Sequence, residues 1–240
     1  RTFGSAAAWS VFDLGVKEAG AAAYSGGIFD GTRVYLVPRL AHPAAVRSPA
    51  DAAAFVDAAA WNTFALETLL VPGTWFYMGG AFDGRYIYFV PRTTGVVLRF
   101  DTADPAGWAP PNGSLGGWSA FDLTQVLPPG AGVAAGDAGV NWPYATAGFD
   151  GRFLYLVPRG SSFLVRYDTF STFAAPCAWT AFDLTAVGVP AGAPDYYQGA
   201  VFDGRYLYLV PNGRQVPALR FDAKTPSSMP AIPAFRGSFF

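Results

Sequence analysis

The residues best equipped for chemistry recur at fixed spacing. Four tyrosines, Tyr24, Tyr77, Tyr144 and Tyr197, each stand five residues before a phenylalanine. Ten residues after that phenylalanine comes a side chain with planar N–H donors: Arg39, Arg92, Arg159 and Asn212. Trp75 and Trp142 precede two of the tyrosines by two positions. Rings beside planar donors suit carbohydrate recognition, because the C–H face of a sugar stacks on a ring while its hydroxyls take hydrogen bonds. The same residue types anchor protein interfaces.

Catalysis finds less to work with. Glycosidases need paired carboxylates about 5–10 Å apart, one of them with a raised pKa. The candidates in the loops entering the first strand of each unit are Glu18, Glu67, Asp137 and Asp195, and they share no local pattern. His42 is the only histidine, so a His-based metal cage cannot be built, and Cys177 is the only cysteine, so no intrachain disulfide forms. A Gly-Lys phosphate cradle is absent. The reading is therefore no catalytic residues, no metal ligands and no cofactor.

Lys plus Arg total 16 against 17 Asp plus Glu, a net charge of −1 that leaves no basic footprint for nucleic acid. With 52% apolar and 17% aromatic residues the chain is not disordered. Its longest apolar stretch, Ala65 to Phe82, is broken by Glu67, Pro72 and glycines, too interrupted for a membrane-spanning helix. The chain opens without Met, as expected of a processed chain or a fragment.

The elements that must position these side chains come from an internal repeat. The run from Phe29 through Asp30-Gly31 to Val37-Pro38-Arg39 returns at Phe82–Arg92, Phe149–Arg159 and Phe202–Asn212. Each copy is followed by an arginine (Arg47, Arg99, Arg166, Arg220), in the last three within Arg-Phe/Tyr-Asp. A Trp-x-x-Phe signature also occurs four times, at Trp9/Phe12, Trp61/Phe64, Trp118/Phe121 and Trp179/Phe182. Alternating residues ending at Asp-Gly make a strand and a hairpin turn. The aromatic run closed by Pro is a second strand. The arginine segment and the tryptophan segment supply a third and a fourth. Four strands repeating every ~40–60 residues are a blade of a β-propeller.

The fold expected is therefore all-β, a four-bladed β-propeller with four antiparallel strands per blade. Its units fall at about 15–66, 67–123, 124–184 and 185–222, the last blade closed by the N-terminal strand at 9–14 within a single domain over 1–222. That strand could instead complete a neighbour's last blade, giving an oligomer, or the chain could belong to a longer array. Residues 223–240 form a Pro-rich tail. In such a fold the tyrosines and the Arg39 set should ring one face around the channel. The aspartates of the Asp-Gly turns are expected to be structural. Arg47, Arg99, Arg166 and Arg220 are expected to pair with an aspartate of an adjacent strand, and Cys177 to be buried.

The blades resemble hemopexin-type repeats. The matching residues in the last unit are Ala200-Val201-Phe202, Gly204, Tyr208 and Arg220-Phe221-Asp222. The Val-Pro-Arg segment is foreign to that pattern, and the family's cysteine pair and its acidic residue at the start of the first strand are missing. The resemblance implies an extracellular or cell-surface location and a protein- or ligand-binding role, in some members with an axial-channel ion held by backbone carbonyls. The function expected is a non-enzymatic extracellular binding module, its ligand a carbohydrate. The alternatives are a structural or assembly subunit with a protein partner and, third, a propeller glycoside hydrolase.

Overall fold

The computed structural model describes residues 3–17, 23–39, 44–49, 55–66, 69, 77–109, 115–131, 143–193 and 195–224. They form four antiparallel sheets, one per repeat, each in simple sequential strand order. Sheet one holds β1 (Tyr24–Phe29), β2 (Arg33–Pro38), β3 (Ala44–Pro49) and β4 (Asn62–Ala65). Sheet two holds β5 (Tyr77–Phe82), β6 (Tyr86–Pro91), β7 (Val96–Asp101) and β8 (Trp118–Asp122). Sheet three holds β9 (Tyr144–Phe149), β10 (Phe153–Pro158), β11 (Phe163–Asp168) and β12 (Trp179–Asp183). Sheet four has β13 (Tyr197–Phe202), β14 (Tyr206–Pro211) and β15 (Leu219–Asp222).

Each hairpin is set by its Asp-Gly turn. Gly31, Gly84, Gly151 and Gly204 take φ of 95°, 103°, 100° and 100°, a region that a side chain would strain. The aspartate before each glycine fixes the turn from inside. In sheet three, Asp150 Oδ1 accepts the N–H groups of Arg152 and Phe153, at 2.9 and 2.7 Å, while Oδ2 accepts the Tyr155 hydroxyl at 2.8 Å. Asp30, Asp83 and Asp203 make the same three bonds.

Blades join through aromatic side chains. Phe121 of β8 lies flat on Trp179 of the next sheet, with centroids 4.4 Å apart and planes 5° apart. Tyr88 of β6 meets Tyr167 and Phe173 from the same neighbour. Phe64 stacks on Trp118 in the equivalent way one blade earlier. These contacts are the core of the molecule.

Two expectations need correction. The arginines of the third strands do not pair with aspartates where their side chains are described. Arg99 lies 4.0 Å over the Tyr86 ring, Arg166 4.4 Å over Phe153 and Arg220 4.2 Å over Tyr206, because each faces an aromatic across the hairpin. The aspartates of the Arg-Phe/Tyr-Asp motif are taken instead by the turn arginines, in Arg85–Asp101, Arg152–Asp168 and Arg205–Asp222 at 2.7, 2.6 and 2.8 Å. The N-terminal clasp is the second. Residues 9–14 are not hydrogen-bonded to β15, and sheet four has three strands among the described residues. Phe12 lies flat on Trp61 of the first blade, 5.1 Å and 7° away, and holds the segment there. Inner strand β1 packs on β5, β5 on β9 and β9 on β13, with no comparable packing of β13 back on β1. The Pro-rich tail from 225 onward lies outside the described residues.

Candidate functional site

The hairpin register brings the tyrosines and the donor residues to one end of the sheets. Tyr24, Tyr77, Tyr144 and Tyr197 face Pro38, Pro91, Pro158 and Pro211 across the first two strands, so the residue after each proline sits beside the loop leading into the inner strand. Backbone bonds fasten that junction. Arg39 N–H donates to Ala23 O, Arg159 N–H to Pro143 O and Asn212 N–H to Tyr196 O, each at 2.9 Å.

The side chains of that end divide sharply. Tyr77, Tyr144 and Tyr197 are buried between blades, and Tyr24 is half-buried. Burial raises the phenols of Tyr77 and Tyr144 far above their ordinary value, and neither hydroxyl finds a partner among the described residues. Burial pushes Tyr197 up to about 12, and its hydroxyl donates to Pro217 O at 3.0 Å. A ring enclosed on its faces cannot stack on a sugar, so three of the four tyrosines do not form the expected aromatic platform. Alternation along a strand told which residues share a face, and the next blade covers that face. Trp75 and Trp142 lie outside the described residues.

The arginines, by contrast, converge. Arg92 is buried, and its Nη1 reaches Arg39 O at 3.5 Å. Burial first, then the charges of Arg39 and Arg159, holds the Arg92 guanidinium below its ordinary pKa. Arg92 of the second blade thus lies within electrostatic reach of the arginines of the first and third. Arg159 donates from Nε to Asp195 Oδ1 at 2.9 Å, and Asp195 remains substantially exposed. The adjoining backbone fixes this carboxylate, since Tyr196 N–H donates to Arg159 O at 2.7 Å. Asn212 is exposed at the same end of the fourth blade. The sequence offered Asp195 only as an isolated carboxylate. Its place two residues before Tyr197, beside the Arg159 position of the preceding blade, was the signal that would have joined it to the arginines.

Glu18, Glu67, Asp137 and His42 lie outside the described residues. Cys177 is exposed rather than buried, because it sits in the short helical turn Pro176–Ala178 that leads into β12. Among the described residues no group of three His, Cys, Asp or Glu side chains could hold a metal. No helix among the described residues is long and apolar enough to cross a membrane.

Consecutive antiparallel sheets, joined face to face with their first strands innermost, define the architecture. The fold is a β-propeller. Solved structures similar to it include Kuenenia stuttgartiensis hydrazine synthase, at TM-score 0.51 and 13% identity over 85% of this chain and 47% of that one. A periplasmic gluconolactonase of Pseudomonas aeruginosa follows at 0.47 and 14%, over 86% of this chain and 59% of that one. A catalytically inactive virginiamycin B lyase from Staphylococcus aureus gives 0.44 and 13%, over 81% and 53%. The chain spans about half the length of these propellers. No protein-family model and no curated protein sequence matches it.

These likenesses correct the expectation of a non-enzymatic carbohydrate-binding module. The same fold occurs in a synthase, so the fold by itself gives no ground for setting catalysis aside. The buried tyrosine rings remove the sugar platform on which that expectation also stood.

Proposed function

We propose that this propeller is an enzyme that opens a lactone or ester, holding the substrate's carbonyl and the product's carboxylate against Arg39, Arg92 and Arg159. The observation that carries the reading is that arginines of three successive blades stand within electrostatic reach of Arg92, the third of them, Arg159, paired with one exposed carboxylate. Positive charge assembled before the substrate arrives is worth most where negative charge develops, as it does on the carbonyl oxygen during attack by water. Asp195, oriented by Arg159, takes the proton from that water. The new C–O bond forms as the carbonyl electrons move to oxygen. They return as the ring or ester C–O bond breaks, and the departing alkoxide takes the proton back. The hemopexin-type likeness is on this reading a likeness of blade construction.

The test is a pH-stat assay of the full chain on a panel of sugar lactones and simple aryl esters. Turnover above the solvent rate is expected, with a loss of about a hundredfold or more in kcat/KM for Arg92→Gln and for Asp195→Asn. A folded chain that opens no member of the panel faster than buffer would overturn the proposal.

A further inference from the structure

Residues 3–17 carry the pattern that ends a blade. Phe3, Trp9, Phe12 and Leu14 match Phe173, Trp179, Phe182 and Leu184 at one constant offset. Their local structure matches too. The short helical turn Ala6–Ala8 leads into Trp9 as Pro176–Ala178 leads into Trp179. The Trp9 indole N–H donates to Phe3 O at 3.0 Å, as Trp179 does to Phe173 O at 2.9 Å and Trp61 to Phe55 O at 2.8 Å. The two rings meet edge-on at 5.2 Å, against 5.5 and 5.6 Å in the other two pairs. Yet Phe3 is 84% and Trp9 61% exposed, where Phe173 and Trp179 are 2% and 4%.

The matching vacancy lies at the other end of the row. A groove of about 370 Å³ opens between the third and fourth blades, bounded by Tyr155, Arg166, Phe182 and Phe221. One blade earlier the equivalent residues are Tyr88, Arg99, Phe121 and Tyr167, and they enclose Phe173 and Trp179. Tyr88 and Arg99 cover Phe173, while Phe121 and Tyr167 stack on Trp179 at 4.4 and 4.6 Å. The groove is therefore the seat of a phenylalanine and a tryptophan that the described residues of the fourth blade do not supply, and Phe182 is left 49% exposed.

We propose that this groove receives Phe3 and Trp9 of a second copy of the chain. Its own N-terminal segment is held at the opposite end of the row, with Phe12 stacked on Trp61 and β1 packed on β5 rather than β13. The join repeats the contact that already links each blade to the next, and the incoming segment adds a fourth strand along β15. Two such joins, related by a two-fold axis, close a ring of eight sheets, four from each copy, and cover both apolar ends.

Light scattering on the purified full chain should return twice the 25.4 kDa of one copy. Trp9→Glu and Phe182→Glu should each be monomeric with an unchanged far-ultraviolet dichroism spectrum. Their equimolar mixture should regain a dimer, because the Phe182→Glu chain keeps its plug and the Trp9→Glu chain keeps its groove. The joint itself is read by oxidising a chain carrying Ser10→Cys, Arg220→Cys and Cys177→Ser, which stays informative even if the glutamate variants fail to fold. A disulfide-linked dimer on a non-reducing gel is the expected product. A link within one chain means that the segment closes its own ring, and it overturns the proposal. So does a monomeric wild type together with a triple variant whose cysteines stay reduced.

Discussion

Asp150 illustrates how much a single repeated residue sets. Its carboxylate satisfies two backbone N–H groups and the hydroxyl of Tyr155, a buried residue against the neighbouring blade. Removing a partner that leaves buried donors unpaired costs about 1–3 kcal/mol. Asp150→Ala is therefore expected to lower unfolding stability by that order, measured by urea titration. Asp203→Ala makes the internal control. Its turn has the same bonds, but its tyrosine, Tyr208, is partly open to solvent, so water replaces the lost acceptor and the loss should be clearly smaller. Equal losses at the two sites would show that burial is not what gives the turn its weight. The type of this residue and its turn role were legible from Asp-Gly alone. The hydroxyl bond was not, because it depends on how far the pleat carries Tyr155 back over the turn.

At the scale of the strand, the inner strands show why small residues recur two and three places before each phenylalanine. A Cβ added at Gly80 would collide with the Tyr88 carbonyl oxygen and with Ile28 Cδ1 of the first blade. At Gly27 the nearest atom would be 3.7 Å away, an ordinary contact. Overpacking of a fixed interior costs about 1–3 kcal/mol. Gly80→Ala is thus expected to reduce the thermal midpoint by several degrees, and Gly27→Ala to leave it unchanged or slightly raised. Scanning calorimetry of both variants checks this, and an equally tolerated pair would mean that the strands are free to move apart. The recurrence of small residues at these positions is a feature of the sequence, whereas which of the glycines is indispensable depended on where the neighbouring blade puts Ile28.

For the whole molecule, the ion pairs repeated on successive blades set an acid limit. Arg85 holds Asp101, and Arg152 holds Asp168, below the usual carboxylate range, mainly through direct side-chain hydrogen bonds. Backbone N–H groups of Tyr206 and Arg205 do the same for Asp203. A carboxyl depressed in the folded state contributes stability that is complete above its unfolded pKa of about 3.9 and is lost as pH falls through the folded value. Tm should accordingly stay level from about pH 5 upward as far as these groups are concerned, and drop below about pH 4. Arg152→Gln should melt lower at neutral pH, with its gap to the wild type closing on acidification. A gap that stays constant with pH would remove Asp168 from the account. By itself the sequence determined the repeat, the antiparallel order of the strands and the end of the sheet at which Arg39, Arg92, Arg159 and Asn212 stand, since all of these follow from residue spacing and turn chemistry within one unit. Only the tertiary structure decided that Tyr77, Tyr144 and Tyr197 are covered, that Arg159 pairs with Asp195 and that Phe12 rests on the first blade. Those outcomes depend on the rotation from one blade to the next, and blade packing sets that angle rather than any local run of residues.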